Sequence, residues 1–145
     1  MGKEIFDDLF IFEMANSHQG RVEHGIDIIH AMSKIARKHN IKAAVKLQFR
    51  NLDNFIHPDY KGRQDVKHIP RFESTRLNYE QFSQLVDAIH EEGLIAMSTP
   101  FDEDGVEVLL LSDGKSYLVV CFTLRCLQRL SDPDLATQLC RWYDN

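Results

Sequence analysis

The residues with the clearest chemical potential sit where short apolar runs stop. Leu9 to Phe12 is apolar and runs into the carboxylate of Glu13, followed by Asn16, Ser17, His18, Gln19 and Gly20. Ala43 to Leu47 is mostly apolar, and Lys46, Gln48 and Arg50 alternate with Leu47 and Phe49 at its end. A third run, Leu94 to Met97, gives way to Ser98, Thr99, Pro100, Phe101 and Asp102. Polar and charged groups at the C-terminal ends of strands are the way α/β enzymes present chemistry. Each residue also has a plainer reading. Glu13 alone would pass for an ordinary strand-end acid. His18 reads first as fixing its turn through the ring nitrogens, with ligation as the alternative. Thr99 lies in a Ser-Thr-Pro turn that also serves as helix-entry chemistry. Lys46 is the hardest to dismiss, because both faces of a parallel strand are usually covered and leave little room for a solvated charge.

The elements that must position these groups follow from periodicity. The spacing of Val22, Ile28, Ile29, Met32, Ile35 and Ala36 predicts a helix over Arg21 to His39. Arg37, Lys38 and His39 place cations at the negative end of its dipole, and Asn40 is a reasonable stop. Asn51 to Leu77 reads as a long connection rich in His, Asp, Lys and Arg, uncommon in a compact domain unless it serves a site. Asn78 can cap a second helix, Tyr79 to Glu92, with Phe82, Leu85, Val86 and Ile89 on one face and Gly93 closing it. A third helix is expected from about Glu103. Strand, helix, strand, helix, strand, helix implies a parallel sheet with right-handed crossovers. Spacing alone separates neither a doubly wound sheet nor a piece of a (β/α)8 barrel; a whole barrel needs roughly 250 residues.

Composition narrows the classes. The chain has 145 residues, with 43% hydrophobic and 27% charged, the balance of a globular domain with a sizeable core. A net charge of −5 leaves no basic footprint for nucleic acid. No apolar run approaches the roughly 18 residues of a membrane span. The N-terminus, MGKEIFDDLF, carries acids where a secretory signal would be basic and then apolar, so a cytoplasmic protein is expected. The character changes near residue 112. All three cysteines and the single tryptophan lie after Leu111, and all seven histidines lie before it. Ser112 to Asn145 does not continue the alternation, although Tyr117 to Leu124 could form a strand and Pro133 to Tyr143 a short helix. Residues 1–111 are therefore read as one unit and 112–145 as a tail, for which a frameshift or truncation is one explanation. Gly114, Lys115 and Ser116 lack the earlier glycine of a phosphate loop, since Leu109 stands there.

FIFEMANSHQG, AVKLQF, ESTRLNYEQF and AMSTPFDEDGVEVL, in that order, resemble the N-terminal part of the sialic acid synthases over Leu9 to Leu111. The resemblance implies the first three βα units of a (β/α)8 barrel. It implies condensation of phosphoenolpyruvate with an N-acetylated amino sugar, typically N-acetylmannosamine, to a nine-carbon sialic acid and phosphate. On this reading Glu13 is the acid near sugar and metal, Lys46 holds phosphoenolpyruvate, and Gln48 lines the sugar site. Thr99 contacts phosphoenolpyruvate, and Asn16 joins them as a substrate-binding candidate. Glu13 and Lys46 are the expected catalytic residues: a lysine offers a point charge to phosphate or carboxylate, and a carboxylate orients hydroxyls or shuttles a proton.

The resemblance also implies a divalent metal, manganese or magnesium, acting as a Lewis acid. No metal ligand is expected within this chain, since the family's histidine ligands fall beyond the matched region. A homodimer is expected of the full-length family, with neither nucleic acid nor membrane as partner. Arg50 and the basic loop depart from many members and leave legionaminic or pseudaminic acid synthesis open. Two other readings stand beside this one. The chain could be a non-catalytic sugar-phosphate-binding or oligomerising fragment, or another phosphoenolpyruvate-condensing sugar-acid synthase. The FEMANSHQG block argues against the last.

Overall fold

The computed structural model describes residues 6–100 and 116–118. Within them the chain runs β1 (Phe10–Ala15), α1 (Val22–His39), β2 (Ala43–Phe49), α2 (Leu52–Phe55), a 3-10 turn (Pro58–Tyr60), α3 (Ile69–Ser74), α4 (Tyr79–Glu91), β3 (Ile95–Pro100) and β4 (Ser116–Leu118). The expected strand–helix alternation is present through β3. The helix expected from Glu103 and the one over Pro133 to Tyr143 lie outside the described residues. The strand expected over Tyr117 to Leu124 overlaps β4, and its later part also lies outside them.

All strand pairs are parallel, in the order β1-β2-β3-β4. That order bears on the ambiguity left by spacing. A doubly wound sheet reverses direction at a switch point and carries helices on both faces. Here each strand adds beside its predecessor, and the two long helices, α1 and α4, pack together against one face. The architecture is α/β and consistent with part of a barrel wall.

Strand alternation sorts the sheet. Val45, Leu47 and Phe49 of β2 are buried in the same cluster as Ile29 and Ala36 of α1 and Phe82, Leu85 and Ile89 of α4. The intervening residues, Lys46 and Gln48, are only partly buried and share the other face. Gly25 and Ser33 complete the inner face of α1: a Cβ on Gly25 would stand 2.6 Å from Leu85 Cδ2, and Ser33 Oγ donates to the Glu92 carbonyl over 3.4 Å. This corrects the apolar stripe expected from sequence, because Ile35 is 47% exposed while two small residues make the helix contact. Small size, not hydrophobicity, admits the partner helix there.

The helix ends are built as their residues dictate. Asn40 takes the left-handed conformation at φ 49° and its N–H returns to the carbonyls of Ala36 and Arg37. Asn78 forms a capping box with Gln81. The 51–77 connection is not structureless: Asn51 and His57 side chains cap the short turns that follow them, and Leu52, Ile56 and Ile69 form a satellite core with Phe55, Val66 and Phe72. Local capping and a few apolar anchors let so long a segment order itself.

Candidate functional site

Glu13 and Lys46 face each other directly across β1 and β2, and Lys46 Nζ lies 2.5 Å from Glu13 Oε2. Immediately beyond Glu13 the register slips by one residue, so that Glu13 and Ala15 bracket a bulge and Ala15 takes φ 50°. Bulges of this kind end a pairing and re-aim the chain. Here Met14 goes wholly into the core while the chain turns away into 16–20. The Glu13 and Lys46 side chains are 46% and 22% exposed, so their pairing adds little to stability. Its consequence is chemical: an ammonium is held at a defined point beside a carboxylate.

On the next rung Gln48 pairs with Thr99. Thr99 Oγ1 and Ser98 Oγ are buried and meet no hydrogen-bond partner among the described residues, an arrangement that costs free energy unless a partner arrives. Gln48 Oε1 accepts from Arg50 Nη2 over 2.6 Å.

A small cleft, partly open to solvent, lies past the strand ends; Asn16, His18, Gln48, Arg50, Phe72 and Arg76 are among the residues lining it. The structure thus divides the expected set. Asn16 and Gln48 reach the pocket, whereas Glu13 and Lys46 form their own pair on the sheet. The Asn16 amide is already committed: its Nδ2 donates to Thr75 Oγ1 over 3.5 Å, and its Oδ1 accepts from Arg71 Nη2 over 3.1 Å. Gly20 makes this junction closer still, because its φ of +72° and missing Cβ admit the Ser74 carbonyl at a spot 2.7 Å from where a Cβ would be. The turn after β1 and the end of α3 are therefore one packed unit.

His18 is 1% exposed, and its Nδ1 accepts the Gly20 N–H over 3.1 Å, the turn-fixing role expected from its position. Burial lowers its pKa, and the charges of His24 and Arg50 act in the same direction. The ring is consequently neutral near pH 7, with its proton on Nε2. Arg76 binds Asp53 through both terminal nitrogens, and that hydrogen bonding holds the Asp53 carboxyl below its ordinary pKa.

Among the described residues no three His, Cys, Asp or Glu side chains converge, so these residues by themselves do not fit a divalent metal. No described helix is long and apolar enough to cross a membrane. The arginines of the pocket, Arg50 and Arg76, and the clamp residues Arg71 and Thr75 escaped the sequence-based site. The signal was present in the length and basic composition of the 51–77 connection, but only folding shows which of its cations turn inward.

The model of the NeuB family matches residues 32–130, most of the chain. The chain belongs to the NeuB family. The match extends past residue 111. The crystal structure of a candidate spore coat polysaccharide biosynthesis protein E from Chromobacterium violaceum is 48% identical, with a TM-score of 0.69 over 71% of this chain and 31% of that one. The NeuB chain described here therefore spans about a third of that protein's length. A spore coat polysaccharide biosynthesis protein from Bacillus subtilis is 25% identical over 70% of this chain, with a TM-score of 0.45. No curated protein matches.

Proposed function

We propose that this NeuB chain supplies the first three βα units of a (β/α)8 barrel and part of a site that condenses phosphoenolpyruvate with an N-acetylated amino sugar such as N-acetylmannosamine. The products are a nine-carbon sialic acid and phosphate. The observation that carries the reading is the Glu13–Lys46 pair, set in register on adjacent strands at their C-terminal ends. Lys46 offers its charge to the carboxylate or phosphate of phosphoenolpyruvate. Glu13, held beside it, is placed to orient the sugar's hydroxyls or carry a proton as the enol carbon adds to the aldehyde. Thr99 brings a buried hydroxyl in want of a partner, which an oxygen of phosphoenolpyruvate would satisfy. Gln48 meets the sugar from the next rung, and Asn16 supports that site by holding α3. A divalent metal, the remaining substrate contacts and a dimer partner would come from outside the described residues, and the reaction would belong to the cytoplasm. A destination in a surface polymer is in keeping with the name of the Chromobacterium violaceum relative, a candidate spore coat polysaccharide biosynthesis protein.

Phosphoenolpyruvate binding to the 145-residue chain and to its Lys46→Met variant, by calorimetry, tests this reading. A hydrogen bond to a charged group contributes about 1.5–3 kcal/mol, so the variant should bind roughly 10- to 150-fold more weakly. Equal binding by the two would overturn the role of Lys46. A parallel assay of phosphate release with N-acetylmannosamine and manganese separates turnover from binding alone, the latter being the mark of a non-catalytic fragment.

A further inference from the structure

Gln48 carries an amide, and an amide can present either a carbonyl oxygen that accepts or an NH2 that donates. Which end it turns toward a ligand decides what it recognises. Arg50 settles this. It donates from Nη2 to Gln48 Oε1 over 2.6 Å, and a guanidinium has no acceptor atom that could take the amide's NH2 in exchange. Gln48 can bind Arg50 in one orientation only. Its NH2 then donates to no group among the described residues, in a side chain that lines the pocket past the strand ends.

Arg50 is itself held in place. Its Cζ lies 4.6 Å from the centroid of the Phe72 ring and 6.0 Å from that of Phe55, distances at which a guanidinium is attracted to an aromatic face. The two rings pack edge to face, 5.7 Å apart. Phe72 belongs to α3, and the last turn of α3 is tied to the turn after β1 through Arg71 and Thr75 on Asn16. An unbroken set of contacts therefore runs from the first strand's turn, through the loop, to the guanidinium and on to the amide.

We propose that Arg50 is a positioning residue that locks Gln48 as a hydrogen-bond donor, so that the acceptor sugar must place an accepting oxygen, of a hydroxyl or an amide carbonyl, against it. The identity of the sugar rests on the function proposed above; the lock does not. A planar guanidinium on an aromatic face does this better than a lysine would, because an ammonium lacks the flat fork that both stacks and aims a donor.

The test is the side-chain amide region of a nitrogen–proton correlation spectrum of the 145-residue chain, with the Gln48 pair assigned by its loss in Gln48→Glu. In the unaltered chain that pair should be displaced from the position of solvent-exposed glutamines. Arg50→Met should return it there, and Arg50→Lys should fall between. Titration with N-acetylmannosamine should move the Gln48 pair, and Arg50→Met should weaken that binding about threefold to tenfold, the worth of one hydrogen bond. A Gln48 pair unmoved in Arg50→Met, with the backbone signals of β2 and α4 intact, overturns the lock. Sugar binding that leaves Gln48 untouched overturns the recognition. Should Arg50→Met fail to fold, Phe72→Leu removes the supporting ring instead, and an unshifted Gln48 pair there overturns the proposal equally. A locked Gln48 in a chain that N-acetylmannosamine does not touch supports the positioning role and counts against the sugar.

Discussion

Gly20 and Gly93 have the same backbone conformation, φ +72°, and very different surroundings. That contrast makes a controlled experiment. Alanine at either position must adopt the left-handed region, at a cost of about 1–2 kcal/mol. At Gly93 a Cβ meets nothing within 4 Å, so Gly93→Ala should lose that amount and no more. At Gly20 the Cβ would lie 2.7 Å from the Ser74 carbonyl oxygen and 3.5 Å from Thr75 Cα. Both are backbone atoms, which cannot swing aside as a side-chain tip can. Relief requires the end of α3 to move off the turn, stretching the hydrogen bonds of Asn16 to Arg71 and Thr75. Overpacking of this kind adds about 1–3 kcal/mol. Gly20→Ala should therefore be destabilised by about 2–5 kcal/mol in total. Urea unfolding followed by circular dichroism, with midpoints compared at constant slope, measures both variants. Gly62→Ala, again at φ +72° with nothing within 4 Å, is a second control. Hydrogen exchange should also quicken in residues 71–76 of Gly20→Ala only. Equal losses at positions 20 and 93 would refute the packed junction on which the ordering of the loop depends.

Two further outcomes follow from particular side chains. Asn78→Ala removes the side-chain half of the capping box on α4, in which Gln81 N donates to Asn78 Oδ1 over 2.9 Å, and leaves the backbone half, in which the residue 78 N–H donates to Gln81 Oε1 over 2.8 Å; it should lower stability by about 1 kcal/mol, and an unchanged thermal midpoint would sink this reading of the helix start. His18 has a folded pKa below its ordinary 6.5, so as pH falls through that value the unfolded chain takes up a proton that the folded chain refuses. Stability conferred by the neutral ring is fully present above that pH and declines below it, ahead of the carboxylates. Melting temperatures compared between about pH 7.5 and 5.5 should fall in the parent and fall less in His18→Gln, and identical slopes would exclude His18 as the cause.

Much of this NeuB chain was legible before folding because its determinants are local. Apolar runs marked β1, β2 and β3 to within a few residues, and Asn78, Asn40 and Gly93 marked helix ends, because a cap satisfies backbone groups only a turn away. The same locality put Glu13, Lys46, Gln48 and Thr99 at strand ends. What periodicity could not supply was the partner of anything. The parallel order β1-β2-β3-β4, consistent with part of a barrel wall, is a matter of which strands meet across intervening helices. The direct opposition of Glu13 and Lys46 is set by that register. Gly25 and Ser33 lie at the α1–α4 contact because they are small, a property that leaves no mark on an apolar stripe. Asn16, expected from sequence at the substrate site, also hydrogen-bonds Arg71 and Thr75, some sixty residues further along the chain. Arg50, whose type alone suggested a change of substrate, gains its meaning from two aromatic rings that only the folded 51–77 segment brings beneath it. Residue type and spacing determined which groups stand at the strand ends; tertiary contact decided which of them are committed to one another, because a hydrogen bond or a ring face acts over a few ångströms of space whatever the separation in sequence.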